Sequence, residues 1–203
     1  MSTVGAEQHE KTWLLGAQCI RKKGKMQMKE IQITAQNASE QVRMLYESAF
    51  PDEEEIPWSD LLRLIDVMPL DFTTYYEGAE LVGMTIVYQR EKLNWFWYFA
   101  VPEPLRGQGY GQQILTRLVH RYADRPMILD MESPEQPSDN LEQRRRRHAF
   151  YLRNGFRDTG VGRTFDTIAY TIMMTGEGQF TLQDYDDILA DLRRHWWPDL
   201  NEE

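Results

Sequence analysis

Three glycines fall at alternate positions in Arg106-Gly107-Gln108-Gly109-Tyr110-Gly111. The segment lies between an apolar run that reads as a strand, ending at Val101, and an amphipathic run that reads as a helix, beginning near Gly109. The first turn of a helix presents N–H groups with no acceptor in the helix, at the positive end of its dipole. Glycine removes the side chains that would hold an anion away from those groups. The combination suits a phosphate or pyrophosphate. No Lys-Ser or Lys-Thr pair follows, so this is not the phosphate loop of nucleoside triphosphatases. The Gly107-x-Gly109-x-Gly111 spacing also differs from the GxGxxG of dinucleotide-binding folds. A plain turn running into a helix would carry the same glycines with no ligand at all.

The elements around this segment follow from hydrophobic period. Residues 29–34 alternate apolar and polar, the mark of a half-buried strand. Ser39 is placed to cap a helix to about Phe50, and residues 59–67 repeat the helical spacing. Residues 72–77 and 81–89 flank Gly78-Ala79-Glu80 as a hairpin. The run 93–101 is dense in aromatics and ends at Pro102. A helix over 112–122, a buried strand over 127–131 and a helix to about Arg153 come next, with Gly155 as its C-terminal stop. Strands at 159–164 and 168–175 and an amphipathic helix over 182–196 complete the order. This pattern predicts an α/β (α+β) fold, a mixed and mostly antiparallel sheet with helices on both faces. Residues 1–27 read as a flexible N-terminal extension, 28–175 as the domain, and 176–203 as a C-terminal helical extension.

Composition narrows the function. The chain has 203 residues and a formal net charge of −9. In the first 27 residues, Lys11, Arg21, Lys22, Lys23 and Lys25 outweigh Glu7 and Glu10 by three charges, so the remainder carries −12. Such an acidic body argues against nucleic acid as a partner and is compatible with a cationic substrate. No apolar run reaches the ~20 residues of a membrane helix. The nearest, residues 13–20, is broken by Gly16 and Gln18 and precedes its positive charges, unlike a secretory signal. A cytoplasmic protein with no membrane partner is expected. Cys19 is the only cysteine and the four histidines are scattered, so neither a disulfide nor a protein-ligated metal is expected.

With these residues in view, the chain resembles the GNAT superfamily of N-acetyltransferases. The signature matched is Arg106-x-x-Gly109-x-Gly111, continued by Gln112-Gln113-Ile114-Leu115 at the helix start. A second match, Phe150-Tyr151-Leu152-Arg153-Asn154-Gly155-Phe156, lies about forty residues on. The resemblance implies acetyl-CoA as co-substrate and makes 28–175 an acyl-CoA N-acyltransferase domain. It implies that the backbone of Arg106, Gly107, Gln108, Gly109, Tyr110 and Gly111, with Gln112, holds the pyrophosphate. The strand end Phe99-Ala100-Val101 would pair with the pantetheine arm, and a splay between that strand and the one at 127–132 would admit the thioester. Tyr151 takes the place of the acid that protonates the leaving thiolate, a proper task for a phenol near pKa ~10. Arg144 and Arg147 stand where many members carry Asn and Ala; a contact from Arg144 or Arg147 to a cofactor phosphate is expected instead, the alternative for the run Arg144–Arg147 being a solvated helix face with one or two ion pairs.

The acceptor, a small-molecule primary amine or a peptide, arrives as ammonium and must lose a proton. Glu132, at the end of the strand beside the splay, is the first candidate base, followed by Asp130 and Glu77. Asp52, Glu53, Glu54, Glu55 and Trp58 lie where an acceptor pocket would draw its residues. Direct attack in a ternary complex fits, because no cysteine is near the motif. The alternative is a non-catalytic acyl-CoA-binding module of the same fold. A third reading is an oligomeric scaffold, such as a homodimer, using the aromatic strand and the Trp196-Trp197 tail as interfaces.

Overall fold

The computed structural model describes residues 28–50 and 55–196. The N-terminal extension with Cys19, the acidic residues 52–54 and Trp197 lie outside them. In chain order the elements are β1 (Met28–Gln32), α1 (Glu40–Ala49), α2 (Trp58–Val67), β2 (Leu70–Glu77), β3 (Glu80–Gln89), β4 (Asn94–Ala100), α3 (Tyr110–Arg121), β5 (Met127–Glu132), α4 (Leu141–Arg153), β6 (Phe156–Phe165), β7 (Ile168–Thr175) and α5 (Leu182–Trp196). The strands form one seven-stranded sheet, ordered β1-β2-β3-β4-β5-β7-β6. All pairs are antiparallel except β4 with β5. The mixed, mostly antiparallel sheet read from the sequence is therefore present. Strand β6 begins at Phe156, three residues earlier than periodicity placed it, because buried Phe156 joins the core directly after the turn at Gly155.

Helices cover both faces. Leu115 and Leu118 of α3 and Tyr151 of α4 pack with Phe96, Leu129 and Met173 on one side. Val42 and Tyr46 of α1, Leu61 and Leu64 of α2, and Tyr185, Ile188 and Leu192 of α5 pack with Trp95, Tyr98 and Ile128 on the other. Helix α5, which the sequence set apart as an extension, is thus built into the core. Arg63 of α2 holds its end, donating at 2.9 Å to the carbonyls of both His195 and Trp196. These carbonyls have no partner within the helix, so the guanidinium fork caps them.

Candidate active site

The parallel pair β4–β5 is short. Its only register partners are Asn94 with Met127 and Trp95 with Ile128. Past these, β5 pairs with β7 alone, through Glu132 opposite Tyr170, and the strand ends diverge. A bulge increases the divergence. Val87 is opposite Phe96 and Ile86 is opposite Tyr98, so Trp97 is an extra residue in β4. An extra residue breaks the alternation and bends its strand. Phe96 and Phe99 then join the α3–α4 core, while Trp95, Trp97 and Tyr98 serve the opposite side. A cavity of about 460 Å³ occupies the splay, lined from both faces: by Phe96, Phe99, Leu129, Met131 and Tyr151 on one, and by Trp95, Tyr98, Asp130 and Tyr185 on the other. An unbroken ladder would separate these groups.

Beyond β4 the chain passes through a short 3-10 turn, Glu103–Leu105, into the glycine segment. Gly107 and Gly109 hold φ of 76° and 91°. Gly109 is the N-cap of α3. A Cβ at either would meet nothing within 4 Å, so backbone conformation rather than crowding requires glycine there. Two of the expected backbone donors need correction. The Arg106 N–H donates to the Glu103 carbonyl at 3.1 Å, and the Gln108 N–H to the Leu105 carbonyl at 3.4 Å; the turn itself uses them. Of the expected backbone donors this leaves Gly107, Gly109, Tyr110, Gly111 and Gln112, and the amides of Gly111 and Gln112 belong to the first turn of α3 and have no acceptor within it. The side chains of the segment hold it in place. Arg106 Nε reaches back to the Val101 carbonyl at 3.2 Å. The buried Tyr110 donates its hydroxyl to Glu77, which removes Glu77 from the acceptor side. The Gln112 amide exchanges hydrogen bonds with Asn154 at the end of α4.

Residues on α4 face the splay from below. Tyr151 is 8% exposed, lines the cavity, and packs edge-on against Phe96, Phe150 and Phe156. Burial pushes its phenol up to about 12; Arg147 works against that shift and Asp130 adds to it. One turn before Tyr151, Arg147 donates to Glu132 Oε2 at 2.8 Å. Arg144 donates to Glu132 Oε1 at 2.6 Å. Arg144 is only 5% exposed and is absent from the cavity wall. The expected contact from Arg144 to a cofactor phosphate is therefore corrected: its guanidinium is turned inward, tying α4 to the end of β5. Arg147 does line the cavity.

Asp130 occupies the other face. Its Oδ1 accepts from Trp95 Nε1 at 2.8 Å and its Oδ2 from the Tyr185 hydroxyl at 2.8 Å. The Tyr185 phenol is raised by burial and by this carboxylate. Arg163 lies over the Tyr185 ring, 4.7 Å from its centroid. Trp95 and Trp97 stack at 4.8 Å. Phe50, Glu55 and Trp196 also contribute to the wall. Sequence reading missed Tyr185, Arg163 and the special place of Trp97. The first two meet Asp130 only through folding. The five consecutive aromatics over residues 95–99 suit either face of a sheet covered on both sides, so they carry no signal of the extra residue at Trp97. Among the described residues no cluster of three His, Cys, Asp or Glu could hold a metal ion, and no helix is long and apolar enough to cross a membrane.

Comparison with known proteins agrees with this fold. Residues 70–158 match the acetyltransferase (GNAT) domain family. No curated protein matches the chain. Among solved structures, a Bacteroides thetaiotaomicron protein assigned to the GNAT family superposes with a TM-score of 0.64 at 22% identity, covering 82% of this chain and 96% of its own. A Bacillus subtilis acetyltransferase in complex with CoA gives 0.55 at 12% identity, over 74% of this chain and 99% of its own. A GNAT-family acetyltransferase from Elizabethkingia anophelis with acetyl-CoA bound gives 0.53 at 15%, over 74% and 98%. The architecture is that of the GNAT acetyltransferases, and the resemblance read from Arg106–Gly111 and Tyr151 holds over the part of the chain that carries them.

Proposed function

We propose that the protein is an acetyl-CoA-dependent N-acetyltransferase acting on a primary amine by direct attack in a ternary complex. The observation that carries this reading is a cavity running through the sheet, with Tyr151 on one face and Asp130 on the other. A thioester entering beside α3 and an amine entering beside α5 would meet in it.

The residues present fit acetyl-CoA. The amides of Gly107, Gly109, Gly111 and Gln112 and the dipole of α3 would hold its pyrophosphate. At Gly111 a Cβ would make ordinary contact, 3.5 Å from Phe99 and 3.7 Å from Phe150 and Val101, so crowding does not demand glycine there. The divergent end of β4 leaves backbone groups for the pantetheine arm. When bound, acetyl-CoA supplies an activated acyl carbon and a thiolate leaving group.

On the acceptor side the base passes from Glu132 to Asp130. Both Glu132 oxygens face guanidinium groups, which repel an incoming ammonium. Asp130 has only neutral donors, and each of its oxygens keeps a further lone pair. Asp130 takes a proton from the ammonium, directly or through a water, leaving the nitrogen able to attack. Tyr151 gives the proton of its Oη to the departing sulfur, and Arg147 favours the phenolate so formed. A phenol pushed up to about 12 stays protonated at working pH and contributes as charge develops on the sulfur. The test is thiol release from acetyl-CoA with a panel of primary amines, for wild type and Asp130→Asn. Amine-dependent release, lost in the variant while acetyl-CoA still binds, is expected. Binding with no release for any amine would leave a non-catalytic acyl-CoA module.

A further inference from the structure

The acceptor half of the cavity places an anion and a cation within the length of one tyrosine. Tyr185 donates its hydroxyl to Asp130 and lies under the guanidinium of Arg163. Arg163 Nη1 is buried and finds no hydrogen-bond partner among the described residues. A buried guanidinium nitrogen in that state costs free energy until an oxygen reaches it. Asp130 and Arg163 line the same cavity as Trp97 and Trp196, with Arg193 also in the wall.

Resting on the acyl-transfer reading above, we infer that the acceptor is a free α-amino acid with a large apolar or aromatic side chain. Asp130 receives its ammonium, Arg163 its carboxylate, and the Trp95–Trp97 stack its side chain. An α-amino acid bears both charges on one carbon, which suits two protein charges bridged by a single side chain. A decarboxylated amine leaves Arg163 unanswered. A polyamine brings a second cation against Arg163 and Arg193. Arg163 offers a planar fork to a carboxylate, which a lysine does not.

The experiment compares L-phenylalanine with phenethylamine, which differs only by the carboxylate, in thiol release by the full chain at saturating acetyl-CoA. Wild type should prefer phenylalanine in kcat/KM by roughly 10- to 100-fold, the usual worth of a charged hydrogen bond. Arg163→Met keeps the stem over Tyr185 and should bring phenylalanine down to the phenethylamine level. It should lower phenethylamine turnover far less than phenylalanine turnover and leave acetyl-CoA affinity unchanged. Arg163→Lys should fall between the two. Equal use of both amines by wild type, or equal loss of both in Arg163→Met, would overturn this inference alone. Failure of folded wild type to bind acetyl-CoA in calorimetry would overturn it together with the acyl-transfer reading.

Discussion

Tyr151 and Glu132 were both singled out as strand-end or motif residues, and folding gives them different surroundings. Tyr151 reaches the cavity with its phenol raised to about 12. Tyr151→Phe should lower kcat by about 10²-fold, the low end for a positioned acid because so weak a phenol donates late, with the acetyl-CoA dissociation constant unchanged. The pH profile follows from the same shift. Activity should rise as the acceptor amine loses its proton, and Tyr151 should impose no fall on the alkaline side below about pH 10. Glu132 instead closes a pair of ion bridges with Arg144 and Arg147. Arg144→Met should cost about 1–2 kcal/mol of stability in denaturant unfolding, since a half-buried carboxylate loses one of its two cations. It should not weaken acetyl-CoA binding, as it would if Arg144 held a phosphate. Residue types and spacing were enough to find Tyr151. They could not tell a carboxylate free to take a proton from one already occupied, because Arg144 and Arg147 come from a separate helix.

The elements position these groups through two devices, one legible in the chain and one not. The turn into α3 was legible, because glycine at 107 and 109 answers a positive φ that few other residues adopt. Gly111 differs, being inside the helix and close to Phe99 and Phe150. Gly111→Ala should raise stability by up to about 0.5–1 kcal/mol through helix propensity, whereas Gly109→Glu, which strains a positive φ and adds a carboxylate at the helix start, should weaken acetyl-CoA binding, a contrast that thermal melts and calorimetry would reveal. The bulge at Trp97 was hidden. A run of aromatics gives no parity, and the opposing register is set by β3. Helix α5 was found as an element but not as a wall, because its amphipathic face does not name the surface it covers. The Arg63 fork that secures it joins residues 132 and 133 positions apart. Arg63→Ala should lower stability by roughly 1–2 kcal/mol, the worth of lost charged hydrogen bonds. It should also raise the KM for the acceptor amine more than that for acetyl-CoA, since α5 borders only the amine side.

At the scale of the molecule, the layers follow from period alone: half-buried strands alternate, and each helix carries one apolar face. The tyrosines tied into those layers set an alkaline limit. Tyr46 and Tyr75 are pushed up to about 12, chiefly by burial, and Tyr122 and Tyr185 move in the same direction. A raised pKa in the folded state means that the native form holds its protons where the unfolded chain has released them. Stability should therefore be unaffected by these groups below about pH 10 and fall as pH rises from there through 12. The tyrosinate absorbance of these four should then appear together with loss of far-ultraviolet circular dichroism rather than before it. The cavity through the sheet is the feature on which the functional account rests, and acetyl-CoA is the ligand it must accept. Calorimetric titration of acetyl-CoA into the wild-type protein tests this most directly. Saturable one-to-one binding in the micromolar range, about −8 kcal/mol, weakened in Gly109→Glu, is expected. No heat of binding from protein that unfolds in a sharp, cooperative transition would contradict it.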